Sequence, residues 1–240
     1  MAESIEHALV IFAILVFIGS YLIGSIPLTW LLVKIFKGKD LHEHGSGNVG
    51  ASNAYATTKS LPLTIVGGLF DLTKGFLCMW IVAKIGMPVY LQVLAGIGAI
   101  LGHNYSVFLK FSGGRGVLTT VGVLFYFSPW IGIGAVLLAL AFAPFHQLAL
   151  GTIIAAFSSV LVIILFPGLF NYDDDAMFWY GIGALLVFAI MIIRRLIAKR
   201  TALSKDEPLW HILLCRMLFD RDITNREAWI TQDRTKQIES

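Results

Sequence analysis

Two short glycine-rich stretches carry the residue types in this chain that best suit the binding of an anion. Residues 45–53 read Gly-Ser-Gly-Asn-Val-Gly-Ala-Ser-Asn and residues 113–116 read Gly-Gly-Arg-Gly; we call them the first and second glycine loops. Glycine tolerates a positive φ, so successive backbone N–H groups can converge on an anion. Ser46 and Asn48 add side-chain donors to the first loop, and Arg115 adds a cation to the second. The pattern predicts two loops that meet on one face of the protein and hold phosphate groups.

The first glycine loop also spells Gly-x-Gly-x-x-Gly over residues 45–50, the fingerprint of many dinucleotide-binding proteins. That fingerprint requires a preceding β-strand within a βαβ unit, whereas a long apolar segment precedes this loop. The Walker pattern is absent too, because no Gly-Lys-Ser/Thr follows a four-residue gap. A phosphate-binding loop and a flexible connection between helices remain two alternatives for this stretch.

Asp71 and Lys74 are ionisable residues inside an otherwise apolar segment. Their spacing of three residues places them on one face of a helix. Charged side chains within such a segment are costly unless they are paired or face a polar cavity. We therefore expect both to point into the interior of a helical bundle beneath the first glycine loop. They could form an internal ion pair there or bind a substrate directly.

A third group of polar residues flanks the second glycine loop. His103 and Asn104 precede it, and Thr119 follows it. Arg115 lies where the next helix should begin, and the dipole of a helix N-terminus would add to its charge to favour an anion. As an alternative, Arg115 and Lys110 could bind anionic lipid headgroups.

The last apolar segment ends in a group of basic residues, for which a role as a cytoplasmic membrane anchor is the first expectation: Arg194, Arg195, Lys199 and Arg200. The two cysteines, Cys78 and Cys215, define no disulfide framework. No grouping of histidines, cysteines and carboxylates has the spacing of a metal site, so we predict no metal.

The composition predicts the elements that must position these residues. Of the 240 residues, 57% are hydrophobic and 14% are charged, with a mean hydropathy of +0.79. A soluble domain carries about 25% charged residues, so this chain is expected to be an all-α, polytopic membrane helical bundle. The formal net charge of +3 is too small to indicate binding to nucleic acid.

About seven transmembrane helices follow from the apolar segments, and we place them at residues 8–36, 61–84, 86–102, 116–127, 130–143, 148–166 and 176–193. The fourth and fifth are short, and Pro27 could kink the first. Basic residues follow the odd-numbered segments, while three consecutive aspartates at 173–175 follow the sixth. Because cationic loops mark the cytoplasmic side, the N-terminus should lie outside and the C-terminus in the cytoplasm. Both glycine loops then face the cytoplasm.

The chain changes character near residue 200, so we expect residues 1–200 to form the membrane-embedded bundle and residues 201–240 a cytoplasmic tail. Within the tail, apolar residues alternate with charged ones over residues 209–219, as in an amphipathic helix at the membrane interface. Residues 222–240 are polar and are expected to be disordered.

Several motifs in this order resemble one family: Gly-Ser-Ile-Pro at 24–27, Asp-Leu at 40–41, the first glycine loop, Asp-x-x-Lys-Gly at 71–75, and Gly-His-Asn-Tyr at 102–105 leading to the second glycine loop. The family is the bacterial acyl-phosphate:glycerol-3-phosphate acyltransferases (PlsY), and the resemblance covers roughly residues 10–200. It implies a seven-helix bundle in the bacterial inner (plasma) membrane, with the active face cytoplasmic. It also implies transfer of a fatty acyl group from acyl phosphate to glycerol 3-phosphate, which gives lysophosphatidic acid.

The resemblance further implies the site residues. Catalytic roles fall on Ser46, His103 and Arg115. Roles in binding phosphate and substrate fall on Gly45, Gly47, Asn48, Gly50, Asn53, Asp71, Lys74, Asn104, Gly113, Gly114, Gly116, Thr119 and Arg194. No cofactor is implied, the partners are the two substrates and the lipid bilayer, and the oligomeric state stays open.

Four positions depart from the pattern of the family. Ala56 replaces a usual arginine, Arg115 a lysine, Arg195 a histidine and Ala198 an asparagine. A divergent or inactive member with another acceptor is therefore an alternative. A transporter or lipid-binding protein, with Asp71 and Lys74 lining its pathway, is another, although the sequence shows no inverted repeat.

Overall fold

The computed structural model describes residues 2–198 and 200–231, without the side chains of residues 2–6, and the regular secondary structure in this part is helical. The α-helices are α1 (Ala2–Ser25), α2 (Leu28–Lys37), α3 (Ala51–Thr58), α4 (Leu61–Lys84), α5 (Val89–Asn104), α6 (Val117–Phe127), α7 (Pro129–Ala141), α8 (Leu148–Leu165), α9 (Asp174–Leu196), α10 (Leu209–Phe219) and α11 (Arg226–Thr231). Short 3₁₀ turns lie at Val107–Leu109, Pro167–Leu169 and Ala202–Ser204. The predicted all-α membrane bundle is confirmed.

Within the described residues, five helical segments are long and apolar enough to cross a membrane: His7–Lys37, Leu61–Lys84, Val89–Leu109, Leu148–Leu165 and Asp174–Leu196. The fourth and fifth predicted spans correspond to α6 and α7, which are apolar but have 11 and 13 residues. At 1.5 Å per residue they extend about 17 and 20 Å, less than the roughly 30 Å of a hydrocarbon core. The bundle therefore combines five long membrane segments with one pair of short helices.

The short pair α6 and α7 forms a helical hairpin with a turn of one residue. Ser128 is extended, Pro129 begins α7, and a Cβ on Gly132 would meet the ring of Phe125, so α7 folds back against α6. The hydroxyl of Tyr172, in the connection from α8 to α9, donates to the carbonyl of Phe127 at 2.9 Å. This hairpin returns the chain to the end of the bundle at which α6 begins, next to the second glycine loop. The glycine loops and the end of α9 consequently share one end of the bundle.

Three details of the sequence prediction were wrong or too simple. The first apolar segment is broken at Ile26 and Pro27 into α1 and α2, because proline has no N–H to donate within a helix. Residues 37–60, expected to be a polar loop, contain the helix α3. The tail contains α11 in the stretch expected to be disordered, whereas residues 232–240 lie outside the described part.

Small residues on α1 and α5 let these two helices pack with their backbones close together. A Cβ on Gly24 would collide with the carbonyl of Ala99, one on Gly98 with the hydroxyl of Ser20, and one on Gly102 with the carbonyl of Tyr21. Such small residues are typical of helix packing in membranes, where the lipid gives no hydrophobic drive for helices to associate. The close contact brings the C-terminal end of α5 against the break between α1 and α2.

Gly24→Ala should lower the thermal unfolding temperature of the purified protein in detergent, because the added methyl group would meet the α5 backbone. Overpacking of this kind costs about 1–3 kcal/mol. Gly19→Ala is the matched control, since Gly19 is also in α1 and a Cβ there meets no atom within 4 Å. Equal unfolding temperatures for the two variants would contradict the described α1–α5 contact.

Candidate active site

The first glycine loop is a tight turn that leads into α3. Gly45 and Gly47 have φ values of +59° and +71°, in the left-handed region that glycine adopts without strain. Gly50 is the residue preceding the first turn of α3, and no side chain caps this helix end. Ser46 and Asn48 are half-buried at the turn, and the N–H of Asn48 lies 3.4 Å from the hydroxyl oxygen of Ser46. The loop thus presents backbone N–H groups at a helix N-terminus, as an anion site requires.

Asn53 holds this turn together from inside α3. Its side-chain amide donates to the carbonyls of Leu41, His44 and Asn48 at 3.1, 3.0 and 2.8 Å. Its side-chain oxygen accepts the N–H of Ser46 at 3.0 Å. Asn53 is 3% exposed, and both polar ends of its amide serve the loop itself. We therefore propose a scaffolding role for Asn53 in place of direct contact with a ligand.

Asp40 fixes the approach to the first loop. Its carboxylate accepts hydrogen bonds from the indole of Trp30 and the backbone N–H of His42, both at 3.0 Å, and pairs with Lys34 at 3.0 Å. Burial by itself would raise the pKa of Asp40, but these hydrogen bonds together hold the pKa well below its ordinary value. A carboxylate with a lowered pKa stabilises the fold at neutral pH, and this contribution is lost as acid protonates it.

The second glycine loop lies directly on the C-terminal end of α5. The N–H of Gly114 donates to the carbonyl of His103 at 2.9 Å. A Cβ on Gly113 would collide with that same carbonyl, and one on Gly114 with Nε2 of the His103 ring. Gly116 has a φ of +72° and sits against the Asn104 amide. Space therefore requires glycine at positions 113 and 114, and the backbone conformation favours it at position 116.

Arg194, near the end of α9, clamps the second loop. Its Nε donates to the carbonyl of Gly114 at 3.1 Å and its terminal NH2 group to the carbonyl of Gly113 at 3.0 Å. The guanidinium also lies 5.1 Å from the centre of the Tyr105 ring, a distance at which cation–π attraction is significant. Arg194 therefore points into the protein and orders the loop.

Arg115 is held at the rim of the second loop. Its Nε forms an ion pair with Oδ1 of Asp220 at 3.0 Å, and its NH1 group donates to the carbonyl of Arg194 at 3.2 Å. The Arg115 side chain is 15% exposed. Asp220 ends α10 in the tail, so a residue from beyond the bundle contributes to this cluster of charges. These contacts argue against the alternative in which Arg115 binds lipid headgroups, because an arginine in that role would be free of protein partners.

The segments that lead into the two glycine loops are in contact. One ring nitrogen of His42 lies 2.8 Å from the carbonyl oxygen of Ser112, directly before the second loop, and the other lies 3.0 Å from Asp40. This bridge connects the segments that precede the two loops. The Arg115 side chain, in contrast, contacts α9 and the tail.

A buried ionic cluster lies beneath the loops. Asp71 pairs with Lys74 at 2.9 Å and lies 3.4 Å from Nδ1 of His103. The hydroxyl of Thr29, on α2, donates to the second oxygen of Asp71 at 3.2 Å. Lys74 also donates to the carbonyl of Ile26 at the break between α1 and α2, at 3.3 Å. Asp71 and Lys74 therefore face the bundle interior and form an ion pair, as predicted.

The cluster is enclosed by the loops and by the break between α1 and α2. The cavity that it lines has a volume of about 10 Å³ and is also bounded by Val49 and Ser106. That volume corresponds to about one water-sized sphere. Asp71 and Lys74 thus lie beneath the loops. A ligand larger than water would contact the surface of the first loop.

Several buried polar groups around the C-terminal end of α5 and the first turn of α6 have no hydrogen-bond partner in the described part of the chain. They are the side-chain amide of Asn104 and the hydroxyls of Ser25, Thr119 and Thr120. Asn104 and Thr119 are fully buried. Buried polar groups in folded proteins are normally satisfied, so unpaired ones point to a ligand or to bound water. The Asn104 amide lies beside Gly116, where α6 begins, a position that suits the binding of a polar substrate.

The family departures occupy quite different places. Ala56 lies exposed on α3. Arg195 is 2% exposed and donates to the carbonyl of Ala149, the hydroxyl of Thr152 and the carbonyl of Met217. It joins α9 to α8 and α10 and makes no described contact with the loops. Ala198 follows α9, and its N–H lies 3.4 Å from the carbonyl of Arg195.

Sequence reasoning missed three contributors to the site. Thr29 could have been suspected from its place two residues after Pro27, where a polar side chain interrupts an apolar segment. His42 and Asp220 carry no local pattern that would mark them. Their contacts arise from packing between segments that are distant along the chain.

Asp71→Leu should destabilise the protein strongly, because it leaves the ammonium of Lys74 buried without its partner. Removing one member of a buried ion pair costs about 3–5 kcal/mol. Asp71→Leu/Lys74→Met should recover most of the loss in thermal unfolding temperature, since the unpaired charge is then gone. A double variant as unstable as Asp71→Leu would argue against the described pair.

Comparisons with known proteins agree with this architecture. The sequence profile of the glycerol-3-phosphate acyltransferase family matches residues 14–203. Glycerol-3-phosphate acyltransferase 4 of Dehalococcoides mccartyi is 35% identical over 216 residues, which are 90% of this chain and 91% of the relative. A glycerol-3-phosphate acyltransferase of Moorella thermoacetica is 41% identical over 64% of this chain and 78% of its own.

Two crystal structures of PlsY, an integral membrane glycerol 3-phosphate acyltransferase, have the same fold. The glycerol 3-phosphate form aligns with a TM-score of 0.63 and 31% identity over 76% of this chain and 88% of that one. The lysophosphatidic acid form aligns with a TM-score of 0.65 and 25% identity over 92% and 99%. The chain belongs to the glycerol-3-phosphate acyltransferase family.

Proposed function

We propose that the protein transfers a fatty acyl group from acyl phosphate to the 1-hydroxyl of sn-glycerol 3-phosphate, giving lysophosphatidic acid and inorganic phosphate. The observation that carries this proposal is the contact between the segments that lead into the two glycine loops, at the end of the bundle that also holds Arg115, Arg194 and several unpaired buried polar groups. The family supports the acceptor and the product, since its solved member is known in forms with glycerol 3-phosphate and with lysophosphatidic acid.

The chemistry places limited demands on the protein. Acyl phosphate is a mixed anhydride with an activated carbonyl carbon, so the acceptor hydroxyl can attack it without a covalent enzyme intermediate. The attack forms a tetrahedral oxyanion, and its collapse breaks the bond from carbon to phosphate oxygen and releases phosphate. The protein must align two anionic substrates and stabilise the developing charge.

We assign the donors accordingly. Ser46, Asn48 and the N-terminus of α3 would bind one phosphate, with Gly45, Gly47 and Gly50 allowing the backbone to approach it. Arg115 would bind the other phosphate beside Asn104 and Thr119, on the second loop that Arg194 orders. Backbone N–H groups at helix ends and guanidinium groups are strong partners of phosphate.

His103 is our candidate for the group that accepts the proton of the attacking hydroxyl. Its Nδ1 lies 3.4 Å from Asp71, and its Nε2 points to Gly114 in the second loop. A carboxylate that holds one ring nitrogen orients the ring, and the other nitrogen is left to act as a base. Lys74 balances the charge of Asp71 from the buried side.

We also propose that this end of the bundle faces the cytoplasm and that the membrane is the bacterial inner membrane. Basic residues gather at the end with the loops, among them Lys34, Lys39, Lys110 and Arg194, whereas the aspartates at 173–175 lie at the other end. Cationic residues mark the cytoplasmic side of membrane proteins.

Purified protein given palmitoyl phosphate and radiolabelled glycerol 3-phosphate should form lysophosphatidic acid with release of phosphate. Ser46→Ala and Arg115→Ala should each reduce turnover by about 100-fold or more, because each removes a donor that holds a substrate phosphate in position for the attack. Thr73→Ala, on the exposed face of α4, is the control and should retain activity. A folded protein without product would refute the proposal, and product from another phosphorylated acceptor in its place would favour the divergent alternative.

The proposed orientation predicts that green fluorescent protein fused after residue 240 fluoresces in cells, since it folds in the cytoplasm. Alkaline phosphatase fused after Tyr172 should be active, because it requires export. The reverse result for the two fusions would invert the topology.

A further inference from the structure

The tail places a carboxylate at the second glycine loop. Oδ1 of Asp220 lies 3.0 Å from Nε of Arg115, although the two residues are far apart along the chain. We propose that Asp220 is a positioning residue, which orients the Arg115 guanidinium to bind the phosphate of glycerol 3-phosphate. This inference rests on the proposed function, and it makes the tail a working part of the active site.

The local backbone at Asp220 is unfavourable without this contact. Asp220 ends α10 with a φ of +53°, and its N–H donates to the carbonyl of Arg216 at 3.1 Å. Glycine is the usual residue at this position of a helix end, since it adopts the left-handed region without strain. A carboxylate at a helix C-terminus is also repelled by the helix dipole. The ion pair with Arg115 offsets both costs.

The support beneath Asp220 is rigid. Arg216 donates to Oδ1 of Asp222 at 2.7 Å and to the carbonyl of Leu196, at the end of α9, at 2.7 Å. Arg216 and Asp222 are 5% and 1% exposed. Burial by itself would raise the pKa of Asp222, but the bond from Arg216 and those from Ser204 and Thr201 lower it. Asp220 therefore lies between two residues that are locked to the end of α9.

Arg195 adds a second connection between the bundle and α10. Its NH1 group donates to the carbonyl of Met217 at 3.3 Å and to that of Ala149, on α8, at 3.0 Å. The buried guanidinium thus joins three helices. Its role in this structure is to dock the tail, which gives a physical reason for arginine at this position.

The contacts of Arg115 are suited to holding its guanidinium in one orientation. The guanidinium has five N–H donors. Its NH1 group donates to the Arg194 carbonyl, and the carboxylate of Asp220 lies 3.0 Å from Nε as an ion-pair partner, so the group is held from two sides. The negative charge of Asp220 also reduces the repulsion between Arg115 and the neighbouring Arg194. A phosphate can then be bound by donors that are already aligned, which lowers the entropic cost of binding.

A blocking role for Asp220 would have the opposite effect on substrate affinity. If the carboxylate competed with phosphate for Arg115, its removal would strengthen binding of glycerol 3-phosphate. If it positions Arg115, its removal weakens binding. Asp220→Gly and Asp220→Asn separate the two, because both residues tolerate the left-handed backbone, and both remove the negative charge that pairs with Arg115.

The experiment measures KM and kcat for glycerol 3-phosphate and for palmitoyl phosphate in the full-length protein, together with equilibrium binding of radiolabelled glycerol 3-phosphate. Asp220→Gly should raise the KM and the Kd for glycerol 3-phosphate by about tenfold, equivalent to about 1.4 kcal/mol, and leave the KM for palmitoyl phosphate unchanged. Asp220→Asn should raise the same two constants for glycerol 3-phosphate, because it removes the charge that pairs with Arg115. Asp206→Ala, an exposed carboxylate in the same tail, should change neither constant.

Unchanged or tighter binding of glycerol 3-phosphate in Asp220→Gly overturns the proposal, as does an equal effect on the constants of both substrates.

Arg115→Ala/Asp220→Gly should bind glycerol 3-phosphate no more weakly than Arg115→Ala, because Asp220 acts through Arg115. Additive losses of affinity would overturn the proposal. If the unsubstituted protein binds glycerol 3-phosphate without turnover, the proposed function fails while the binding constants still test Asp220. If it does not bind glycerol 3-phosphate, both fail.

Discussion

Asp71 carries a negative charge within an apolar bundle, and much of the site follows from the need to satisfy it. Three side chains from three helices contact its carboxylate: Thr29, Lys74 and His103. An isolated charge at this depth would be prohibitively costly. This cluster requires a particular geometry around it. The break at Pro27 contributes to that geometry, because it brings the carbonyl of Ile26 to Lys74. The close packing of α1 on α5 contributes as well. The two glycine loops then lie on a base that cannot easily shift.

The glycines act here largely through the space they leave. Gly113 and Gly114 let a loop rest on the end of α5 with the His103 ring directly beneath it. Arg194 then binds the two carbonyls that this geometry exposes. Sequence patterns of glycine and arginine are often interpreted as direct contacts with a ligand. In this protein part of the pattern, including Asn53 and Arg194, builds the loops, and fewer groups are left to meet the substrate.

The sequence was most informative where local spacing has a direct structural meaning. The apolar segments predict the bundle, the interval from Asp71 to Lys74 predicts a shared helical face, and consecutive glycines predict tight loops. It was least informative where the outcome depends on segments distant along the chain. The contact of Asp220 with Arg115, the bridge from His42 to Ser112 and the docking of Arg195 on α10 carry no local signature. Helix α3 was missed because its eight residues contain little hydrophobic periodicity.

The short hairpin α6–α7 has a consequence for the surrounding lipid. Its helices are roughly 10 Å shorter than the hydrocarbon core, and a bilayer adapts to such hydrophobic mismatch by thinning locally. Helix α6 begins directly at the second glycine loop, so the membrane surface would dip beside Arg115. An acyl phosphate diffusing in the adjacent leaflet could then bring its headgroup level with the two glycine loops while its chain remains in the bilayer. The membrane itself would in this way help to deliver the donor substrate.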